Sequence, residues 1–330
     1  MPSQKARKDP VEEKRSRLNE ARESPGSDAS LAILRKGLAD PVSIVAAKAA
    51  EIAGELGSSD LAPDMIAAFR RFLADPSKDK GCLAKIAIVE ALTRLEHAEP
   101  DVYLDGILHV QREPVWGGTE DTAAWLRGLS AIGLSGCRHP RVLPHLVDVL
   151  ADPEKPARIG AVRALGGLGG PEPALLLRLK LLQGDPDVEV LEEGFRSFLS
   201  LERPEETASF VGRFLDSADE SVAEAAALAL GESRNPQGLF VLKRSWESAR
   251  GRSFRRVLLV AMALLRTGPA TDFLVSLLTD ESRETRRGAL AALGPFLYND
   301  ELKDRVRAAV EGDDDLKELY EAELGRVGKD

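Results

Sequence analysis

The side chains able to do chemistry are few and scattered. The chain carries four histidines, His97, His109, His139 and His145, and two cysteines, Cys82 and Cys137. His139 and His145 stand about two helical turns apart, but Pro140 and Pro144 interrupt the run and no third ligand follows, so a zinc-type site is not expected. The two thiols have no second cysteine nearby in sequence, which removes a disulfide framework or a CxxC pair and leaves them as small buried residues at helix positions. Neither a G-x-S-x-G elbow nor a phosphate-binding G-x-x-x-x-G-K-[ST] or G-x-G-x-x-G motif is present. The GGLGG run, Gly166 to Gly170, follows a helical pattern, lacks a lysine and reads as a helix stop. No catalytic residue, metal ligand or cofactor is expected on these grounds, and enzymatic activity is left open.

Residues suited to binding are clearer. Arginines cluster twice, as Arg252, Arg255 and Arg256 and again as Arg283, Arg286 and Arg287. Guanidinium groups pair edge-on with carboxylates and phosphates, so one basic patch here would suit an anionic ligand. Trp116 lies in the Gly-containing stretch REPVWGGTED, Arg112 to Asp121, where an indole either anchors a partner or tucks onto the helices below. Trp125 and Trp246 fall in helix-period segments and read as core. The acidic run Glu189, Glu192, Glu193 reads as a solvated face.

The net charge of -9 and pI near 5.3 give no general attraction to nucleic acid or acidic lipid. Nucleic acid is therefore not an expected partner. No stretch approaches the roughly 18 apolar residues of a spanning helix, and residues 1–26 contain no apolar run of the signal-peptide kind. A cytoplasmic protein is expected.

The elements that must position these residues repeat. Apolar residues make up 43% and aromatics only 5%, a composition suited to packed helices. The segments Asp40 to Gly54, Asp152 to Gly166 and Asp280 to Gly294 have equal length and place Ala49, Ala161 and Ala289 in one column; Gly231 puts Ala226 in the same slot. Asp suits a helix start. The small residue lets neighbouring helices approach, and the closing Gly suits a left-handed stop. A second apolar segment of helical period precedes each Asp, as in Leu31, Leu34, Leu38 and in Phe273, Leu274, Leu277, Leu278. Weaker copies place first helices near Asp101 to Val110, Glu172 to Leu182, Glu206 to Leu215 and Gly238 to Trp246. Strand signals are absent. Each period lies in the thirties of residues, the length of one helix-turn-helix unit, which predicts an all-α fold, an α-α superhelix of about eight helical pairs.

The segments DPEKPARIGAVRALGGLG, Asp152 to Gly169, and DESRETRRGALAALG, Asp280 to Gly294, resemble the HEAT-repeat family, in particular bacterial phycobilisome-lyase-like HEAT repeats. The likeness covers about residues 27–310. It implies that the second helix of each pair lines a concave face, and that an Asp at the turn and an Arg six residues on form an ion-pair ladder between repeats. Asp152 with Arg158 and Asp280 with Arg286 match that spacing, whereas Ala46 follows Asp40 and Leu191 follows Asp185. None of the four histidines begins a His-Glu pair, which sets the chain apart from the di-iron hydroxylase branch.

The division expected is a charged, frayed or disordered lead over 1–26 with a short helix from Pro10 to Glu23, a solenoid over 27–310, and an acidic capping helix and tail over 311–330. The lengthened turns at Ser77 to Gly81 and Arg112 to Asp121 mark where such a solenoid varies. The function this reading favours is a monomeric, non-enzymatic scaffold that holds a protein or peptide. Candidate contact residues are Trp116, Arg252, Arg255, Arg256, Arg283 and Arg287. The resemblance also raises two rivals, a bilin-lyase-like or chaperone-like enzyme and a HEAT-like DNA glycosylase.

Overall fold

A computed structural model describes residues 10–327 except 202, 250 and 281. The chain divides into two compact units, one up to Leu168 and one from Gly169. In the first, α1 (Pro10–Glu20) is followed by the pairs α2 (Asp28–Leu38) with α3 (Ser43–Glu55), α4 (Ala62–Ala74) with α5 (Leu83–Arg94), α6 (Asp101–Leu108) with α7 (Ala124–Gly136), and α8 (Val142–Leu150) with α9 (Lys155–Leu168). The second holds α10 (Pro171–Gln183) with α11 (Val188–Leu199), α12 (Pro204–Gly212) with α13 (Glu220–Glu232), α14 (Gly238–Ser248) with α15 (Arg252–Leu264), α16 (Gly268–Ser276) with α17 (Arg283–Leu293), and α18 (Asp300–Val310) with α19 (Asp314–Val327). The fold is all-α and built of superhelical helix pairs. In each unit the second helices stack in sequence, α3 on α5 on α7 on α9, and α11 on α13 on α15 on α17 on α19. None of the helices among the described residues is long and apolar enough to cross a membrane.

The turn aspartates act one step earlier than first-turn capping. Asp40, Asp121, Asp152, Asp185, Asp280 and Asp313 each accept the backbone N–H two residues on, at 2.8 to 3.1 Å. This closes an Asx turn that aims the chain into the second helix. In the pair built on Gly231, Ser217 occupies the Asp slot and its hydroxyl accepts the Asp219 N–H at 3.2 Å.

Ala49, Ala161, Ala226 and Ala289 are completely buried. The Gly column serves a different purpose from the expected helix stop. Gly54, Gly231 and Gly294 do not have positive φ. A Cβ on Gly231 would lie 2.3 Å from the carbonyl oxygen of Ala261 on the next stacked helix, so glycine is there for close backbone approach. Left-handed stops do occur, at Gly169 and Gly170 after α9. Several second helices instead end in a left-handed residue with a side chain: Glu96 after α5, Arg138 after α7, Arg234 after α13 and Arg266 after α15.

Three features depart from the sequence reading. The stretch Arg112 to Asp121 forms two short strands, β1 (Arg112–Val115) and β2 (Gly118–Asp121), paired antiparallel with Val115 opposite Gly118. The polar lead was expected not to pack. Residues 1–9 lie outside the described residues, but α1 buries Leu18, whose methyl would meet a Cβ on Gly37 at 2.6 Å. That leucine seated on a glycine helps to dock it, with Lys14 paired to Asp40 at 2.7 Å. At the other end, α18 and α19 form a ninth pair with its own turn Asp, so position 310 falls between two helices of one pair.

Candidate functional site

The ladder residues occupy turns, where they are bonded both within their own turn and to the neighbouring repeat. In the first unit the carboxylate of Asp152 receives two bonds, at 2.7 and 3.0 Å, from Arg127 on the preceding second helix. Arg127 also donates to Asp121 at 2.7 Å and to the carbonyl of His109 at 3.0 Å. Arg158 donates to the carbonyl oxygens of Asp152 and Pro153. In the second unit Arg286 likewise donates to the carbonyl of Asp280 at 2.9 Å and reaches forward to Asp313 at 3.1 Å. Arg127 and Arg286, each six residues after its turn Asp, thus hold their own turn and bind the carboxylate of the next.

The two lengthened turns keep the same six-residue spacing from the turn Asp to a basic residue. Asp79 and Lys85 share the six-residue spacing and are fully buried, with their charged atoms 3.0 Å apart. Asp79 also accepts the N–H groups of Ala84 and Lys85, and Lys85 donates to the carbonyl of Phe72. Gly81 and Cys82 take positive φ to turn the chain into α5. Cys82 is buried, and desolvation pushes its thiol up to about 11. Cys137 is half-buried after α7.

The β-hairpin stands on this turn. Gln111 donates to the carbonyl of Asp79 at 2.8 Å and to Glu113 at 2.5 Å. Glu113 also accepts the Gly81 N–H at 2.8 Å and the Thr122 hydroxyl at 3.1 Å. Asp121 accepts the N–H groups of Gln111 and Ala123 at the base of the second strand. Desolvation, the largest single influence on Glu113 and Asp121, opposes their ionisation. Their hydrogen bonds outweigh it, from Gln111, Gly81 and Thr122 for the first and from Gln111 and Arg127 for the second, and hold both carboxyls below the usual range. Burial chiefly, and the nearby Lys85 and Arg127 charges as well, lower the pKa of His109.

From this anchored base the strands project to a two-residue loop, Trp116 and Gly117, where Gly117 has φ of +92°. The indole of Trp116 is fully exposed, and Val115 beside it is exposed too. Of the two fates open to Trp116, the structure takes the exposed one. Trp246 is buried as read, while Trp125 is 39% exposed and lies at the rim of α7 rather than in the core.

In the second unit the arginine cluster is divided among internal partners. Arg283 makes a two-pronged contact with Asp315 of α19, at 2.7 and 3.0 Å, and Arg287 joins the same carboxylate at 2.5 Å. The bonds from Arg283 and Arg287 hold the Asp315 carboxyl far below its usual range. Arg252 faces Glu284 at 3.2 Å, and the Arg255 guanidinium stacks on the Trp246 ring at 4.5 Å. Arg256 is exposed beside them. Arg252, Arg256, Arg283 and Arg287 nonetheless line one open cavity together with Glu284, while Arg286 is turned to Asp313 and Arg255 to Trp246.

Among the described residues, no group of three or more His, Cys, Asp or Glu side chains converges as a metal site needs. His97 follows Glu96 and lies 4.0 Å from Glu99, and the rings of His139 and His145 sit 5.9 Å apart. Gln111, Asp79, Lys85 and Arg127 are the functional-looking residues that sequence reasoning missed. The six-residue spacings Asp79 to Lys85 and Asp121 to Arg127 were the available signal, hidden because both turns looked like insertions.

Among solved structures the chain is similar to an engineered protein, at 15% identity and TM-score 0.38, covering 98% of this chain and 97% of that one. It is also similar to the complex of CpcE and CpcF of phycocyanin lyase from Nostoc sp. PCC7120, at 18% identity and TM-score 0.36 over 73% of this chain and 92% of that one. Human deoxyhypusine hydroxylase in complex with glycerol shows 18% identity and TM-score 0.30, covering 78% and 91%. Both natural proteins are HEAT-like helical-repeat proteins. No family model and no curated protein matches.

Proposed function

We propose that this chain is a non-enzymatic scaffold that binds another protein, with the β-hairpin as its principal contact. The observation that carries this reading is the fully exposed Trp116 on a hairpin whose base is fixed to a buried ion pair. A large apolar ring held in water has no folding benefit, and a rigid base removes much of the ordering entropy that a loop would lose on binding. Truncation of a tryptophan that anchors an interface costs at least about 2 kcal/mol, or roughly thirty-fold in affinity. The stacked second helices supply a stiff wall beside which a bound segment can run, with variable polar positions outside the Ala and Gly columns.

The test is affinity capture with the intact chain and with Trp116→Ala, each followed by identification of the retained proteins and by a melting curve. Loss of a specific partner at unchanged melting temperature supports the reading. Recovery of the same partners in the same yield from both chains sinks it.

A further inference from the structure

We propose that a cavity at the start of α15 and α17 binds a phosphoryl group. The cavity has a volume of about 190 Å³, equivalent to roughly six waters at their share of liquid volume. Its walls include Trp246 from α14, Arg252, Arg255 and Arg256 from the first turns of α15, and Ser282 and Glu284 from the start of α17. Two helix N-termini, each the positive pole of its helix, therefore face one small space.

The deciding observation is independent of the arginines. Trp246 is only 9% exposed, and its indole N–H is buried without an acceptor. A buried donor left unsatisfied costs about 1–3 kcal/mol, so it marks a place where an acceptor is wanted. The Arg255 guanidinium lies over the same indole, at 4.5 Å from the ring centroid, and Phe273 packs against that indole in a T-shaped pair. Both hold the indole in place at the cavity wall. Ser282 accepts the Thr285 N–H as the helix cap, which leaves its own hydroxyl hydrogen to donate.

Charge selects the ligand. Among the described residues, three guanidinium groups and one carboxylate, that of Glu284, line the cavity, a positive balance that favours a phosphate monoester dianion. A carboxylate presents its lone pairs in one plane. These donors come from three helices and suit the three splayed oxygens of a phosphoryl group. The group can belong to a small metabolite or to a phosphorylated side chain.

The test uses the full chain labelled with ¹⁵N at tryptophan, which gives three indole N–H resonances, assigned by Trp116→Phe, Trp125→Phe and Trp246→Phe. Inorganic phosphate and a phosphoserine hexapeptide are titrated at pH 8, with ionic strength held constant by chloride. The Trp246 resonance is expected to shift downfield and saturate while the other two stay in place. Arg256→Gln should raise the half-saturating concentration at least ten-fold. Lowering the pH to 5, below the second phosphate pKa of about 6, should raise it several-fold. A peptide that binds at least ten-fold tighter than free phosphate supports a phosphorylated chain as the source, and equal binding supports a small phosphorylated molecule. No saturable shift with either probe, the same shift with chloride alone, or an equal response to glutarate overturns the proposal.

Discussion

Arg127 shows why a charged side chain can be almost fully buried in this fold. Its guanidinium meets two carboxylates and one carbonyl, so every edge finds an acceptor. Removing it would strand Asp121 and Asp152 without their counter-charge. Arg127→Met is expected to lose about 3–5 kcal/mol, read as a lower urea midpoint at unchanged slope. Arg127→Lys should recover only part of this, because an ammonium cannot span both carboxylates edge-on. A loss below 1 kcal/mol for the methionine variant would show that the ladder does not hold these turns. Gly231 makes a steric counterpart: with the Ala261 carbonyl 2.3 Å from the added Cβ, Gly231→Ala should cost about 1–3 kcal/mol, by the same denaturation measurement.

At the scale of elements, the β-hairpin owes its docking to Glu113 and Asp121 in their ionised form. Both have folded pKa values below the unfolded ones, so their contribution is fully present above the ordinary carboxylate range, about pH 4, and is lost as the pH falls through the lower folded values. Amide exchange at Gly81 and Thr122, followed from pH 6 to pH 3 and corrected for intrinsic rates, should show protection falling only in the acid limb. Glu113→Gln should shrink that dependence, and a flat profile in the native chain would contradict the role given to these carboxyls. The helix pairs themselves were legible in the sequence because Asp, Ala and Gly recur at fixed offsets and each offset has a packing cause. The β-hairpin was not. Its strands are four residues each, Pro114 and the charged positions hide any alternation, and its stability comes from Asp79 and Gly81, some thirty residues earlier. The arginine cluster was legible as residues, but its internal pairing was not. Sequence could not show that Asp315 would claim Arg283 and Arg287 while Arg255 turned to Trp246.

For the molecule as a whole, each helix pair touches chiefly its neighbours, so stability within a unit is close to a sum of local terms. Protection against amide exchange should therefore fall toward α1 and α19, the terminal helices, and peak in the inner second helices such as α5 and α13. Mass spectrometry after timed exchange would read this, and uniform protection along the chain would contradict it. The left-handed residues that end several second helices have a further consequence, for thermostabilisation. A side chain in that conformation costs about 1–2 kcal/mol, whereas glycine adopts it freely and forfeits roughly 0.5–1 kcal/mol through its looser unfolded chain. For Arg138 and Arg234 the remaining gain is offset by losing a cation at the negative end of a helix, worth about 0.3–1 kcal/mol. Glu96 puts an anion at that same negative end, so Glu96→Gly relieves two penalties together. A heat-resistant version of this protein should start from that one position, which belongs to neither candidate binding surface, and leave the arginine stops alone.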